Sequence, residues 1–95
     1  MKDYVNAMYS YLLDIDLYYR GNDEETINII KELKKKLDEY VKQSDLNKLS
    51  EVEKAFQEFY KEGQIKSKYS AVKDKIDNLG EMIFRTKRRL NNIYN

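Results

Sequence analysis

No proline interrupts this sequence, and its three glycines, Gly21, Gly63 and Gly80, are spread over 95 residues. Proline removes a backbone donor and clashes with the preceding helical turn, and an interior glycine costs a helix about 1 kcal/mol against alanine. A chain so poor in both can be helical almost throughout. Its apolar residues also recur at spacings of three and four rather than two, which is the period of a helix with one buried face. Because 37% of the residues are charged, disorder is the competing expectation. Twelve aromatics, many Ile and Leu residues and the clean helical period argue for a folded chain.

Four segments carry that period. Val5, Met8, Leu12, Ile15 and Tyr19 predict a helix from about Asp3 to Arg20, stopped at Gly21-Asn22, where glycine takes the left-handed cap conformation. A second helix starts at Asn22 or Asp23. Asn22 with Glu25 fits a capping box, and Asp23, Glu24 and Glu25 complement the helix dipole. Its stripe is Ile27, Ile30, Leu33, Leu37 and then Tyr40 or Val41, with Glu32–Lys36 and Lys35–Glu39 as i,i+4 pairs on the wet side. Gln43-Ser44-Asp45 breaks the pattern. The third helix begins at Asp45 or at Ser50, carries Leu46, Leu49, Val52, Phe56 and Phe59, and is expected to end at Gly63.

The fourth segment is the most regular, with Tyr69, Val72, Ile76, Leu79, Ile83, Thr86, Leu90 and Ile93 in alternation. From about Ser67 to Tyr94 it would span roughly 40 Å at 1.5 Å per residue, longer than the others and able to project beyond them. Gly80 inside it is unfavourable unless a close helix contact needs it. Short connections between amphipathic helices predict an all-α fold, an antiparallel four-helix bundle running up-down-up-down with a long C-terminal helix, as a single domain over residues 1–95. A helical hairpin dimer or a longer coiled coil is the alternative, and the oligomeric state stays open.

Several chemistries lack their residues. With no cysteine there is no disulfide and no thiolate metal site, which fits a reducing cytosol. With no histidine, the commonest general base and transition-metal ligand is missing. No glycine-rich loop cradles a phosphate. Asp14 and Asp16 are two apart on a helix and point about 200° from each other, so they do not converge on one ion. The first ten residues, MKDYVNAMYS, do not read as a signal peptide, and no run approaches the roughly 18 apolar residues of a membrane span. A binding protein without catalytic residues, cofactor or metal is the expectation.

The binding surface is sought in the charge distribution. Residues 1–63 hold ten basic and fourteen acidic side chains, net −4, and residues 64–95 hold eight basic and three acidic, net +5. The surplus concentrates at Arg85, Lys87, Arg88 and Arg89, beside the off-seam Phe84 and near Met82 and Tyr94. Cations at a helix C-terminus account for the sign but hardly for the whole surplus. Phe84, Arg85, Lys87, Arg88, Arg89 and Tyr94 are therefore the candidate contact residues. They suit an anionic membrane surface, an acidic protein patch or the phosphates of a nucleic acid, although a net charge of +1 speaks against the last. A solvated tail is the plain alternative. Nine tyrosines add to the candidates; Tyr9, Tyr11 and Tyr18 fall at or beyond the edge of the first stripe and read as boundary packing or contact anchors.

One stretch carries a resemblance. Phe56-x-x-Phe59-Tyr60, a glycine-containing turn and then KSKYSAVKDKIDNLGEMIFR resemble the enterocin A-type immunity proteins, which protect lactic acid bacteria from pediocin-like bacteriocins. That family shares the size, the helix order and the lack of cysteine, and the residue pattern is similar over about residues 52–85. The resemblance implies a cytosolic protein, peripheral at the inner membrane face, that recognises a sugar-permease receptor engaged by a bacteriocin and blocks pore formation. It also implies that the third and fourth helices decide which bacteriocin is countered. A small nucleic-acid-associated protein, or a helical adaptor using the basic fourth helix, is the alternative from a different class.

Overall fold

In the computed structural model, residues 2–66 and 70–94 are described, with side chains over residues 4–62 and 71–91. Within them the chain is all-helical, with four α-helices and no strand: α1 (Lys2–Tyr19), α2 (Glu24–Gln43), α3 (Leu46–Lys66) and α4 (Lys73–Tyr94), the last preceded by a 3₁₀ turn over Ser70–Val72. Each of α1 and α3 packs against both α2 and α4. The overall dimensions are 42 × 21 × 20 Å. A helix with its side chains is about 10 Å across, so that cross-section holds helices two by two.

Met8, Leu12, Ile15 and Tyr19 of α1 are buried, and Val5 packs against them from the edge. From α2 come Ile27, Ile30, Leu33, Leu37 and Tyr40. Val41, the alternative to Tyr40, is exposed. Helix α3 buries Leu49, Val52 and Phe59, with Leu46 and Phe56 half-buried, and α4 adds Ile76, Leu79, Ile83 and Leu90. Fully burying a side chain such as Leu33 or Phe59 stabilises the fold by about 1.5–3 kcal/mol, so the seventeen buried apolar side chains among the described residues supply the main driving force. Tyr69 and Ile93, the two ends of the expected α4 seam, have side chains outside the described residues.

The helix ends correct several expectations. Gly21 takes φ +83° and ends α1 as expected, and the amides of Asn22 and Asp23 both donate to the Tyr19 carbonyl, at 2.9 and 3.1 Å. Asp23, rather than Asn22, caps α2. Its Oδ1 accepts from the Thr26 amide at 3.1 Å and its Oδ2 from the Thr26 hydroxyl at 2.7 Å. Ser44, within the expected break, closes α2 in the left-handed conformation (φ 52°), its amide donating to the Tyr40 carbonyl at 2.7 Å. Helix α3 starts at Leu46 and not at Ser50, because the Asp45 side chain accepts from the Asn47 amide at 2.9 Å.

Gly63 does not end α3, which runs on to Lys66. One interior glycine costs about 1 kcal/mol, and with no proline nearby that is too little to stop a helix already anchored by Phe59. At the far end, α4 begins at Lys73 rather than Ser67. Its 22 residues still make it the longest of the described helices, ahead of the 21 of α3 and 20 of α2, but by a smaller margin than a start at Ser67 would give.

Polar contacts tie the helices together at their margins. The Tyr9 hydroxyl of α1 donates to Asp38 of α2. Asp14 of α1 lies 3.3 Å from Lys75 of α4, while Asp16 pairs with Arg20, so the two aspartates diverge as their spacing requires. Glu32 and Lys36 approach to 4.0 Å as expected, whereas Glu39 faces Lys48 across the α2–α3 turn at 3.8 Å.

Candidate binding surface

Ile83, Thr86 and Leu90 point into the core and set the rotation of α4 about its axis. The buried Thr86 hydroxyl is satisfied within the helix, donating to the Met82 carbonyl at 2.8 Å. Everything else in the basic run follows from that phase, and it splits the run in two.

Lys87, adjacent to Thr86, is carried toward α3. Its ammonium donates to the Glu53 carboxylate at 2.8 Å in a partly buried position. Lys87 therefore takes part in the α3–α4 contact, apart from the outward cations of the run. A run of consecutive charges cannot face one way on a helix, because neighbours are 100° apart.

Phe84, Arg85, Arg88 and Arg89 turn outward on the side of α1. Phe84 and Arg88, like Arg85 and Arg89, are four apart, so they form two adjacent rows. With Glu81 and Tyr4 they line an open groove of about 460 Å³. Phe84 is 55% exposed, the large apolar surface that its off-seam position predicts. The Arg85 Nε donates to Glu81 at 2.8 Å. That hydrogen bond and the charge of Glu81 push the Arg85 pKa above its ordinary value, with Tyr4 adding a smaller contribution. Arg89 lies over the Tyr4 ring, 5.1 Å from its centroid, a cation–π arrangement. Among the described residues Arg88 makes no ion pair. The side chain of Tyr94, the remaining candidate, lies outside the described residues.

Besides Glu81, the member of this group that the sequence does not single out is Tyr4, one of nine tyrosines and far from Arg89 in the chain. Only the packing of α1 on α4 brings it beside Arg89. The result is a surface with guanidinium groups at its rim, an exposed phenyl ring and a tyrosine face. It can attract anions by charge, receive flat groups on its aromatic rings and insert Phe84 into an apolar phase.

Fold and surface together define a class: an all-helical chain whose fourth helix offers a cationic, aromatic-lined face. They lead to no named family, because no protein-family profile, curated protein or solved structure matches the chain.

Proposed function

We propose that this chain is a bacteriocin immunity protein of the enterocin A type, a cytosolic helical binder without catalytic machinery. Its helices run up-down-up-down as an antiparallel bundle. It works at the inner membrane face, where it recognises a sugar-permease receptor engaged by a bacteriocin and blocks pore formation. The local pattern from Phe56 to Arg85 supports the family reading. The observation that carries the mode of action is the outward face of Phe84, Arg85, Arg88 and Arg89 beside Tyr4. An anionic leaflet attracts each nearby arginine by about 1 kcal/mol, and a half-exposed phenyl ring beside it suits the headgroup boundary. Two inter-helix contacts support the antiparallel order: a cation–π contact joins Tyr4, early in α1, to Arg89, late in α4, and an ion pair joins Glu53, early in α3, to Lys87.

A nucleic-acid reading draws on the same guanidinium groups and has less behind it. Arg85 is paired with Glu81 and Lys87 with Glu53, so the run offers two cations, Arg88 and Arg89, without a carboxylate partner among the described residues. A site gripping six to ten phosphates needs more.

Expression in a strain sensitive to pediocin-like bacteriocins is the test, with survival as the readout. Failure to protect against every member of a broad panel refutes the proposal. Binding to vesicles containing anionic lipid should fall about 30-fold in Arg88→Gln/Arg89→Gln, the effect of losing about 2 kcal/mol of surface attraction.

A further inference from the structure

The opposite flank of α1 carries a second feature, independent of the arginine face. Leu13 and Leu17 are 53% and 56% exposed, and they are one turn apart, so they form a continuous apolar ridge. Both are large apolar side chains outside the stripe that faces the core, and more than half of each is open to solvent. Beside this ridge, between α1 and α2, runs an open groove of about 420 Å³. Its floor is apolar, formed with Leu12 and Ile30, and its two walls differ in charge. On the α1 wall, Arg20 and Asp16 neutralise each other. On the α2 wall stand Lys31 and Lys34, neither of which pairs with a carboxylate among the described residues.

We propose that the α1/α2 groove docks an amphipathic helix of a partner protein, with apolar side chains seated in the groove on Leu13 and extending over Leu17 outside its lining, and an acidic flank facing Lys31 and Lys34. The groove lining runs along α1 from Tyr9 to Arg20. At 1.5 Å per residue this is roughly 16 Å, or three helical turns, enough for anchors at positions i, i+3 or i+4, and i+7. The charge asymmetry fixes the sign of the partner. The wall of α1 is internally neutralised and demands nothing, while the two ammonium groups of α2 are met by carboxylates on one flank only. A second copy of the chain is the competing occupant. It fits less well because the copies would have to share one two-fold axis, and a patch of two leucines falls well short of the apolar area that stable homodimers bury.

The test uses the full chain and three fluorescein-labelled 18-residue helical peptides. They share a leucine stripe at i, i+4 and i+7 spacing and carry glutamate, lysine or glutamine along one flank. Fluorescence anisotropy at low salt should rank glutamate above glutamine above lysine. Leu13→Ser/Leu17→Ser should weaken the glutamate peptide about tenfold or more, as expected for losing an anchoring apolar contact. These sites are exposed, so the fold should be retained, with the far-UV circular dichroism and melting curve as controls. Lys31→Glu/Lys34→Glu should reverse the preference to the lysine peptide. Equal binding of all three peptides, or binding untouched by either double variant, overturns the proposal. So does a chain that sediments as a dimer and turns monomeric with Leu13→Ser/Leu17→Ser, because the ridge would then be covered by a second copy.

Discussion

Gly80 sits in the middle of α4, where glycine is about 1 kcal/mol worse than alanine, and the structure explains why the position tolerates it. A Cβ added there would stand 2.9 Å from both Cε2 and Cζ of Phe56 on α3. Carbon atoms in good contact are 3.5–4.0 Å apart, so the ring would have to retreat by about 0.6 Å or more. It cannot retreat inward, because its centroid lies 6.5 Å from that of the buried Phe59. Outward motion disturbs its packing on Tyr60, whose ring centroid is 6.1 Å away. Overpacking of this kind costs about 1–3 kcal/mol. Taking about 2 for the displaced ring and about 1 for the gain in helix propensity, Gly80→Ala should destabilise the protein by about 1 kcal/mol. In a Phe56→Ala background the obstacle is gone, and the same substitution should stabilise by about 1 kcal/mol. The coupling between the two positions is then about 2 kcal/mol, well above the roughly 0.5 kcal/mol scatter seen for independent sites. Urea titrations of the four proteins, followed by far-UV circular dichroism at 25 °C, measure it. If Gly80→Ala has the same sign and size in both backgrounds, Phe56 is not the reason for the glycine, and the close α3–α4 approach at this point is refuted.

Two further outcomes follow from polar contacts. The Tyr9 phenol is pushed up to about 12, first by burial and then by its hydrogen bond to Asp38 and the charge of that carboxylate. Its folded value thus lies above the unfolded value of about 10, so the folded state holds the proton more tightly. The contribution is whole below pH 10 and is lost as the pH climbs toward 12; urea midpoints measured from pH 8 to 12 should fall more steeply for the native chain than for Tyr9→Phe. At the start of α2, Asp23→Ala should cost about 1–2 kcal/mol, since it removes the acceptor of both the Thr26 amide and the buried Thr26 hydroxyl, whereas Asn22→Ala should stay within about 0.5 kcal/mol. A larger loss at Asn22 than at Asp23 in thermal melts would return the cap to Asn22.

Much of the architecture was legible because helical burial is periodic. Met8, Leu12, Ile15, Leu33, Leu37, Ile76, Leu79 and Ile83 all lie where a spacing of three and four puts them, and all are buried. Boundaries were less legible. Gly63 looked like a stop and is interior, because the weight of one residue's propensity is small against a helix held by its neighbours. Ser50 looked like a cap and lies inside α3, because Asp45 five residues earlier already caps it. The ridge of Leu13 and Leu17 left no mark in a reading tuned to one stripe per helix, since apolar residues on a second face look like noise until the packing shows them uncovered.

The sequence by itself determined that this chain would be helical, where its apolar stripes lie, that Phe84 stands off the stripe, and that positive charge gathers late in the chain. These are local properties, set by backbone preference and by a period that repeats every few residues. Only the tertiary structure decided that the basic run is divided, with Lys87 held by Glu53 while Arg85, Arg88 and Arg89 share an open face with Tyr4. The same holds for the approach of Phe56 to Gly80. Both depend on which helices become neighbours and at what rotation, and that is fixed by the mutual fit of four stripes, which no single segment contains.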